Sequence, residues 1–230
     1  IALLTKSVMI FFPIFIALIF MDLKNSGCMP SLKKYGAVIL FFILSVAPWT
    51  IRNYSIYHKF VPVSTQTGIG FYSSYCPANG IFGVLASPND TIMIEAGKFP
   101  SVVSQSDFLV KKTLEFIINN PGKVFILELK KILYFWAPFD WEIVGGRWFN
   151  WPYVASLPFF AFGLFFSFKE FRKFYPILLP IIYFQIMALI FYGSPRFRLP
   201  IEPYIFILSI IGILEFRKWI FGWTAGRRLN

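Results

Sequence analysis

The sequence predicts an all-α integral membrane protein, with about five transmembrane helices and an external loop region that carries two amphipathic helices. Three observations predict it. Of the 230 residues, 57% are hydrophobic and 21% aromatic, with a mean hydropathy of +0.65; this is more apolar than an aqueous domain of the same size, so lipid is the expected solvent. The apolar residues are gathered into long uncharged runs. The basic residues are shared unequally between alternate loops, as membrane topology requires.

The uncharged runs are Ser7 to Met21, Gly36 to Ile51, Tyr153 to Phe168, Tyr175 to Tyr192 and Tyr204 to Leu214. At 1.5 Å per residue, a run of about 16 to 18 residues covers roughly 24 to 27 Å, a little short of the ~30 Å hydrocarbon core, so flanking aromatics complete the crossing. The last run is the shortest and borrows from Ile201 and Phe216. Pro48, Pro158, Pro176 and Pro180 fall in these runs and predict kinks, since neighbouring helices can satisfy the freed carbonyls.

Orientation follows from Lys24, Lys33 and Lys34 in one loop, Lys169, Arg172 and Lys173 in the next alternate one, and Arg217, Lys218, Arg227 and Arg228 in the tail. These hold ten of the 22 Lys and Arg in 36 residues, against eleven in the 112 residues of 52–152 and 193–203 together. The first group is therefore cytoplasmic. Residues 1–51 form two spans with a short cytoplasmic loop, 52–152 the external loop, and 153–230 three spans with a basic cytoplasmic tail. The chain opens on Ile1, inside an apolar run and without a signal-peptide pattern, so it is expected to be a fragment with sequence upstream.

Within the external region, Val61 to Asn89 is rich in Gly, Pro and Asn and reads as loop or short strands. Ser104-Gln105-Ser106-Asp107 offers a helix start, Val110, Leu114, Ile117 and Ile118 repeat at helical spacing, and Asn119-Asn120-Pro121-Gly122 stops the run. Pro121 can open a second helix, with Phe125, Leu129, Ile132 and Trp136 along one face and Glu128, Lys130 and Lys131 off it. Three charges within four residues make a crossing costly, so this helix lies along the outer surface; a sixth span over 124–138 is the alternative.

Cys28 and Cys76 fall on opposite sides of the membrane and cannot pair with each other. With one histidine, His58, nothing has zinc-site spacing. No glycine loop precedes a helix to hold a nucleotide phosphate. The net charge of +11 reflects topology and contact with anionic membrane lipids, and it does not point to nucleic acid.

Two boundaries carry basic residues against the topology rule. Pro195-Arg196-Phe197-Arg198-Leu199-Pro200-Ile201-Glu202-Pro203 reads as extended chain, in which Arg196 and Arg198 project to one side as two guanidinium prongs for phosphate oxygens. The plainer reading is that both snorkel to headgroups, or that Arg198 pairs with Glu202. Arg52 sits where the second span leaves the bilayer, beside Trp49 and Tyr54, either as an interfacial anchor or as another phosphate cation.

Three stretches, Pro48-Trp49-Thr50-Ile51-Arg52-Asn53-Tyr54, Phe60-Val61-Pro62-Val63-Ser64-Thr65, and Pro195 through Pro203, together resemble the bacterial lipid-linked-sugar glycosyltransferases of the C-type superfamily. That group is related to protein mannosyltransferases and aminoarabinose transferases. The resemblance covers nearly the whole chain as the C-terminal half of such an enzyme. It implies sugar transfer from a polyprenyl-phosphate donor to a lipid, glycan or protein acceptor, at the outer face of a bacterial cytoplasmic membrane and in service of the cell envelope. It also implies that Arg52, Arg196 and Arg198 bind the donor phosphate, that Asn53, Ser64, Thr65 and Glu202 belong to the substrate loops, and that the acidic general base lies upstream of Ile1, leaving this fragment inactive alone. The sequence departs from the pattern where Gln66-Thr67-Gly68 and Cys76-Pro77-Ala78-Asn79 replace an Asn-Gly-Gly and a later Gly-Asn-Asn-Pro turn.

No cofactor is identified and no metal ligand set is assigned. Asp140-Trp141-Glu142 reads either as a solvated loop or as a sugar or divalent-cation contact. Two other function classes stay open. A transporter or flippase needs polar groups at mid-membrane, where only Gln185 lies; a non-catalytic membrane subunit needs none.

Overall fold

A computed structural model describes residues 11–13, 28–76, 89–139 and 149–226. Among these the regular structure is helical, with no strand: α1 (Cys28–Tyr57), α2 (Thr67–Tyr75), α3 (Thr91–Ala96), α4 (Val102–Asn119), α5 (Pro121–Phe135), α6 (Trp151–Lys169), α7 (Phe171–Ile190) and α8 (Glu202–Gly226). Two 3-10 turns, Pro195–Phe197 and Leu199–Ile201, stand between α7 and α8. Four stretches are long and apolar enough to cross a membrane: Gly36–Tyr57, Trp151–Lys169, Lys173–Ile190 and Pro195–Phe221. The predicted run from Ser7 to Met21 lies outside the described residues except for 11–13, and Asp140 to Glu142 lie outside them altogether. The chain divides into two compact units, Ile1–Phe135 with Gln185–Ser194, and Trp136–Phe184 with Pro195–Asn230.

In the first unit, α1 passes unbroken through Pro48 and runs beyond the apolar stretch to Tyr57. Its Ile39, Leu40, Phe41, Ile43 and Leu44 are exposed, a contiguous apolar surface that water would not tolerate and lipid would. The helix stops at His58, whose φ of 51° is left-handed and whose N–H donates to the Tyr54 carbonyl at 2.8 Å; histidine enters this region more readily than most residues with a side chain.

The stretch predicted as loop or short strands contains α2. Its glycines serve close packing instead of turning. A Cβ on Gly68 would collide with the Ser106 backbone of α4, and one on Gly70 would lie 3.2 Å from the Tyr192 hydroxyl. The Gly68 N–H donates to Ser106 Oγ at 2.9 Å. Tyr72, Cys76, Ala96 and Leu109 form the small core where α2, α3 and α4 meet. The cap of α4 is Ser101, which accepts from the Ser104 N–H at 3.1 Å; the predicted start at Ser104 is one turn late. Only Asn120 separates α4 from α5, which Pro121 opens.

In the second unit α6 packs on α8 at two glycines. A Cβ on Gly163 would strike the Leu208 carbonyl, and one on Gly212 the Phe159 carbonyl. Small residues let two helix backbones meet in a membrane, where water does not drive them together. Ser209 Oγ donates to the Ser156 carbonyl at 3.1 Å across the same seam. Only Glu170 separates α6 from α7, so the predicted basic loop is a tight turn. The last helix is longer than its apolar run: it continues without a break to Gly226, with Glu215 and Lys218 paired at 2.6 Å along it.

Candidate functional site

The first two stretches that carry the resemblance are joined in space. Trp49 Nε1 donates to the Val63 carbonyl at 2.9 Å, Thr50 Oγ1 to Pro62 at 2.9 Å, and Asn53 Nδ2 to Val61 at 3.0 Å. Three side chains from the last turns of α1 thus hold three successive carbonyls of the segment that follows. Without them those carbonyls would lose their partners, Val61 in a buried setting where an unmet acceptor is costly. Asn53 is buried and engaged in this clasp; Ser64 Oγ accepts from the Gln66 N–H at 3.1 Å and so turns the chain into α2. Thr65 is half-buried in that turn.

Arg52 is the residue of this stretch that the clasp leaves out. It is exposed, and its guanidinium carbon lies 5.0 Å from the Trp49 ring centroid. Among the described residues it has no hydrogen-bond or ion-pair partner.

The third stretch is not extended. Arg198 N–H donates to Pro195 at 2.9 Å and Ile201 N–H to Arg198 at 2.8 Å, closing the two 3-10 turns. At three residues per turn, side chains two apart point about 120° away from each other instead of sharing a side. Arg196 is accordingly exposed, whereas Arg198 is 2% exposed. Arg198 Nε donates to Glu202 Oε1 at 3.3 Å, Nη1 donates to the Ala137 carbonyl at 2.7 Å, and the guanidinium lies 3.7 Å above the Tyr153 ring. Glu202 also accepts from Asn150 Nδ2 at 3.3 Å. The structure therefore separates the two predicted prongs and gives Arg198 and Glu202 an internal pairing, as the plainer reading of the sequence has it.

A second buried cation was not singled out by the sequence as a site. Lys131, taken as a charge lying off the apolar face of α5, is 2% exposed. Its Nζ donates to Glu128 Oε1 at 3.0 Å and to the Leu189 carbonyl at 2.7 Å, and sits 3.7 Å over the Tyr75 ring. Burial pulls the ammonium down to about 8, against the opposing pull of Glu128. Tyr75 is held neutral beside it, first by burial and then by the nearby Glu128 carboxylate; its hydroxyl donates to the same Leu189 carbonyl at 3.3 Å. The glutamate three residues before the lysine was the available signal; the carbonyl and the ring come from distant segments.

Asp90 caps α3, accepting from the Ile92 and Met93 amides at 2.9 and 3.2 Å, and also from Tyr72 Oη at 2.9 Å and Cys76 Sγ at 3.3 Å. Burial raises this carboxyl, but the four donors outweigh it and hold it below the usual range. Cys76 is buried and its sulfur is a thiol, not part of a disulfide. Among the described residues no three His, Cys, Asp or Glu side chains gather as a metal ligand set.

Among the described residues, four stretches are long and apolar enough to cross a membrane, Lys131 and Arg198 are buried in cages, and Arg52 is exposed at a clasped helix end. No protein-family model, no curated protein and no solved structure matches the chain.

Proposed function

We propose that this chain is the C-terminal part of a membrane glycosyltransferase that takes a sugar from a polyprenyl-phosphate donor at the outer face of a bacterial cytoplasmic membrane. The observation that carries the reading is Arg52: an exposed guanidinium with no hydrogen-bond or ion-pair partner among the described residues, at the end of a helix long and apolar enough to span, on a scaffold fixed by three hydrogen bonds. Arg196, exposed in the second unit, is a separate candidate cation. Arg198 leaves the phosphate set and joins Glu202 as a positioning pair for the turns.

In the proposed reaction the bond between the anomeric carbon and the phosphate oxygen breaks, and the polyprenyl phosphate departs with the electron pair. The acceptor oxygen forms the new bond to that carbon and gives its proton to a carboxylate upstream of this chain. Charge builds on the leaving phosphate, and a fixed cation at the membrane surface stabilises it. Removing one such cation lowers transition-state stabilisation by about 3 kcal/mol, roughly a hundredfold in rate.

The topology that goes with this reading has five spans, Ser7 to Met21 being the first, and places α4 and α5 on the outer surface. What supports that placement is the length of α5, whose 15 residues span only about 22 Å. Its Phe125, Ile126, Leu129 and Leu133 are exposed, an apolar face suited to the interface. The experiment is turnover of the full-length protein with a polyprenyl-phosphate sugar. Arg52→Gln is expected to reduce kcat about a hundredfold while Arg52→Lys keeps part of it. Unchanged turnover in Arg52→Gln would end the reading.

A further inference from the structure

We infer that the basic end of α7 and α8 holds a seat for one anionic phospholipid, a site independent of the sugar-transfer reading. A cavity of about 640 Å³ opens between the start of α7 and the last turns of α8. Its lining combines Lys173 and Phe174 from α7 with Leu214, Glu215, Arg217 and Lys218 from α8.

Charge complementarity identifies the occupant. Lys218 is matched by Glu215 at 2.6 Å, and Lys173 meets Glu170 only in an exposed pair at 3.4 Å, a contact of little strength in water. Arg217 is exposed, with the Phe221 ring 5.7 Å away and no carboxylate partner among the described residues. Two cations are thus available to one anion. Leu214 lies a helical turn nearer the middle of α8 than Arg217 and Lys218, so the apolar lining continues toward the hydrocarbon while the cations stand at the basic end. An inorganic anion would use only the second half of this surface. A phospholipid uses both, its phosphate on Lys173 and Arg217 and an acyl chain along Phe174 and Leu214. Basic pockets between membrane helices on the cytoplasmic side are suited to such headgroups, and the loop charges assign this end to the cytoplasm.

The test uses the whole chain in detergent, titrated with phosphatidylglycerol or phosphatidylcholine and read by native mass spectrometry. Wild type is expected to retain one phosphatidylglycerol in preference to phosphatidylcholine. Lys173→Gln with Arg217→Gln is expected to lose about twenty-five-fold in affinity, about fivefold for each cation. Lys33→Gln with Lys34→Gln, at the other basic loop, is expected to change nothing. Should the double variant fail to fold, Arg217→Gln alone carries the test with its fivefold loss. Equal loss in both variant pairs would show only general attraction between anionic lipid and basic loops, and would overturn the seat. So would no loss in the groove variant, or displacement of the lipid by inorganic phosphate.

Discussion

Lys131 in the first unit and Arg198 in the second are buried cations satisfied in the same three ways. Each has a carboxylate one helical turn away, a backbone carbonyl at 2.7 Å and a tyrosine ring at 3.7 Å. The difference lies in the headgroup. Arginine has enough donors to meet carboxylate and carbonyl in one plane while stacking on the ring, and it stays charged at any working pH. The lysine is a point charge that sheds its proton near pH 8. Arg52 has an exposed guanidinium and, among the described residues, neither of these polar partners. A cation beside an apolar span is therefore not functional by position alone; what it is already bonded to decides.

The largest effect is expected at Arg198. Arg198→Met takes the guanidinium from the Ala137 carbonyl and leaves the Glu202 charge with only the neutral Asn150 amide, and breaking a buried pair costs about 3 to 5 kcal/mol. Unfolding followed by circular dichroism in detergent checks this. Replacing Glu202 as well, in Arg198→Met/Glu202→Leu, is expected to restore most of the loss, because the two groups then vanish together. A double variant as unstable as the single one would mean that the arginine holds something other than this pair.

Next in size, Tyr153→Leu removes the ring beneath Arg198 and is expected to destabilise by about 2 kcal/mol, the value of a desolvated cation over an aromatic face. Tyr153→Phe keeps the ring and loses only the hydroxyl bond to the Trp136 carbonyl at 3.2 Å, about 1 kcal/mol. If the two variants unfold together, the stacking contributes nothing.

Lys131 gives the comparison its pH axis. Its folded value is depressed to about 8 from 10.5, so between these values the unfolded chain binds more protons than the folded one. The penalty for burying the charge is fully present below pH 8 and is relieved as pH rises toward 10.5. Wild type is therefore expected to gain stability over Lys131→Met between pH 8 and 10, whereas the difference between wild type and Arg198→Met stays flat across that range. Unfolding midpoints measured against pH for the three proteins decide it.

Four of the five predicted runs coincide with helices long and apolar enough to cross a membrane, because apolar runs bounded by charge leave a chain few alternatives in lipid, and Pro121 and the Asn119 to Gly122 stop set the boundary of α4 and α5. The turns at Pro195 and Pro200 were misread for a physical reason. A proline φ near −65° suits a 3-10 turn as well as an extended chain, and the bias that proline places on the residue before it yielded at Leu199 to the hydrogen bond between Ile201 and Arg198. Gly68 and Gly70 looked like turn residues because the partners that need their smallness, Ser106 and Tyr192, are far away in sequence. The i,i+4 spacing made the Arg198–Glu202 pair legible. The Lys131 cage was not, since Tyr75 and Leu189 are brought to it only by folding.

The most direct test of the division between caged and available cations is polyprenyl-phosphate binding to this chain in detergent, measured for wild type and Arg52→Gln with unfolding midpoints alongside. Arg52→Gln is expected to lose binding at least tenfold with an unchanged midpoint, since a charge-assisted contact to phosphate is worth about 1.5 to 3 kcal/mol. Binding equal to wild type in Arg52→Gln would contradict that division.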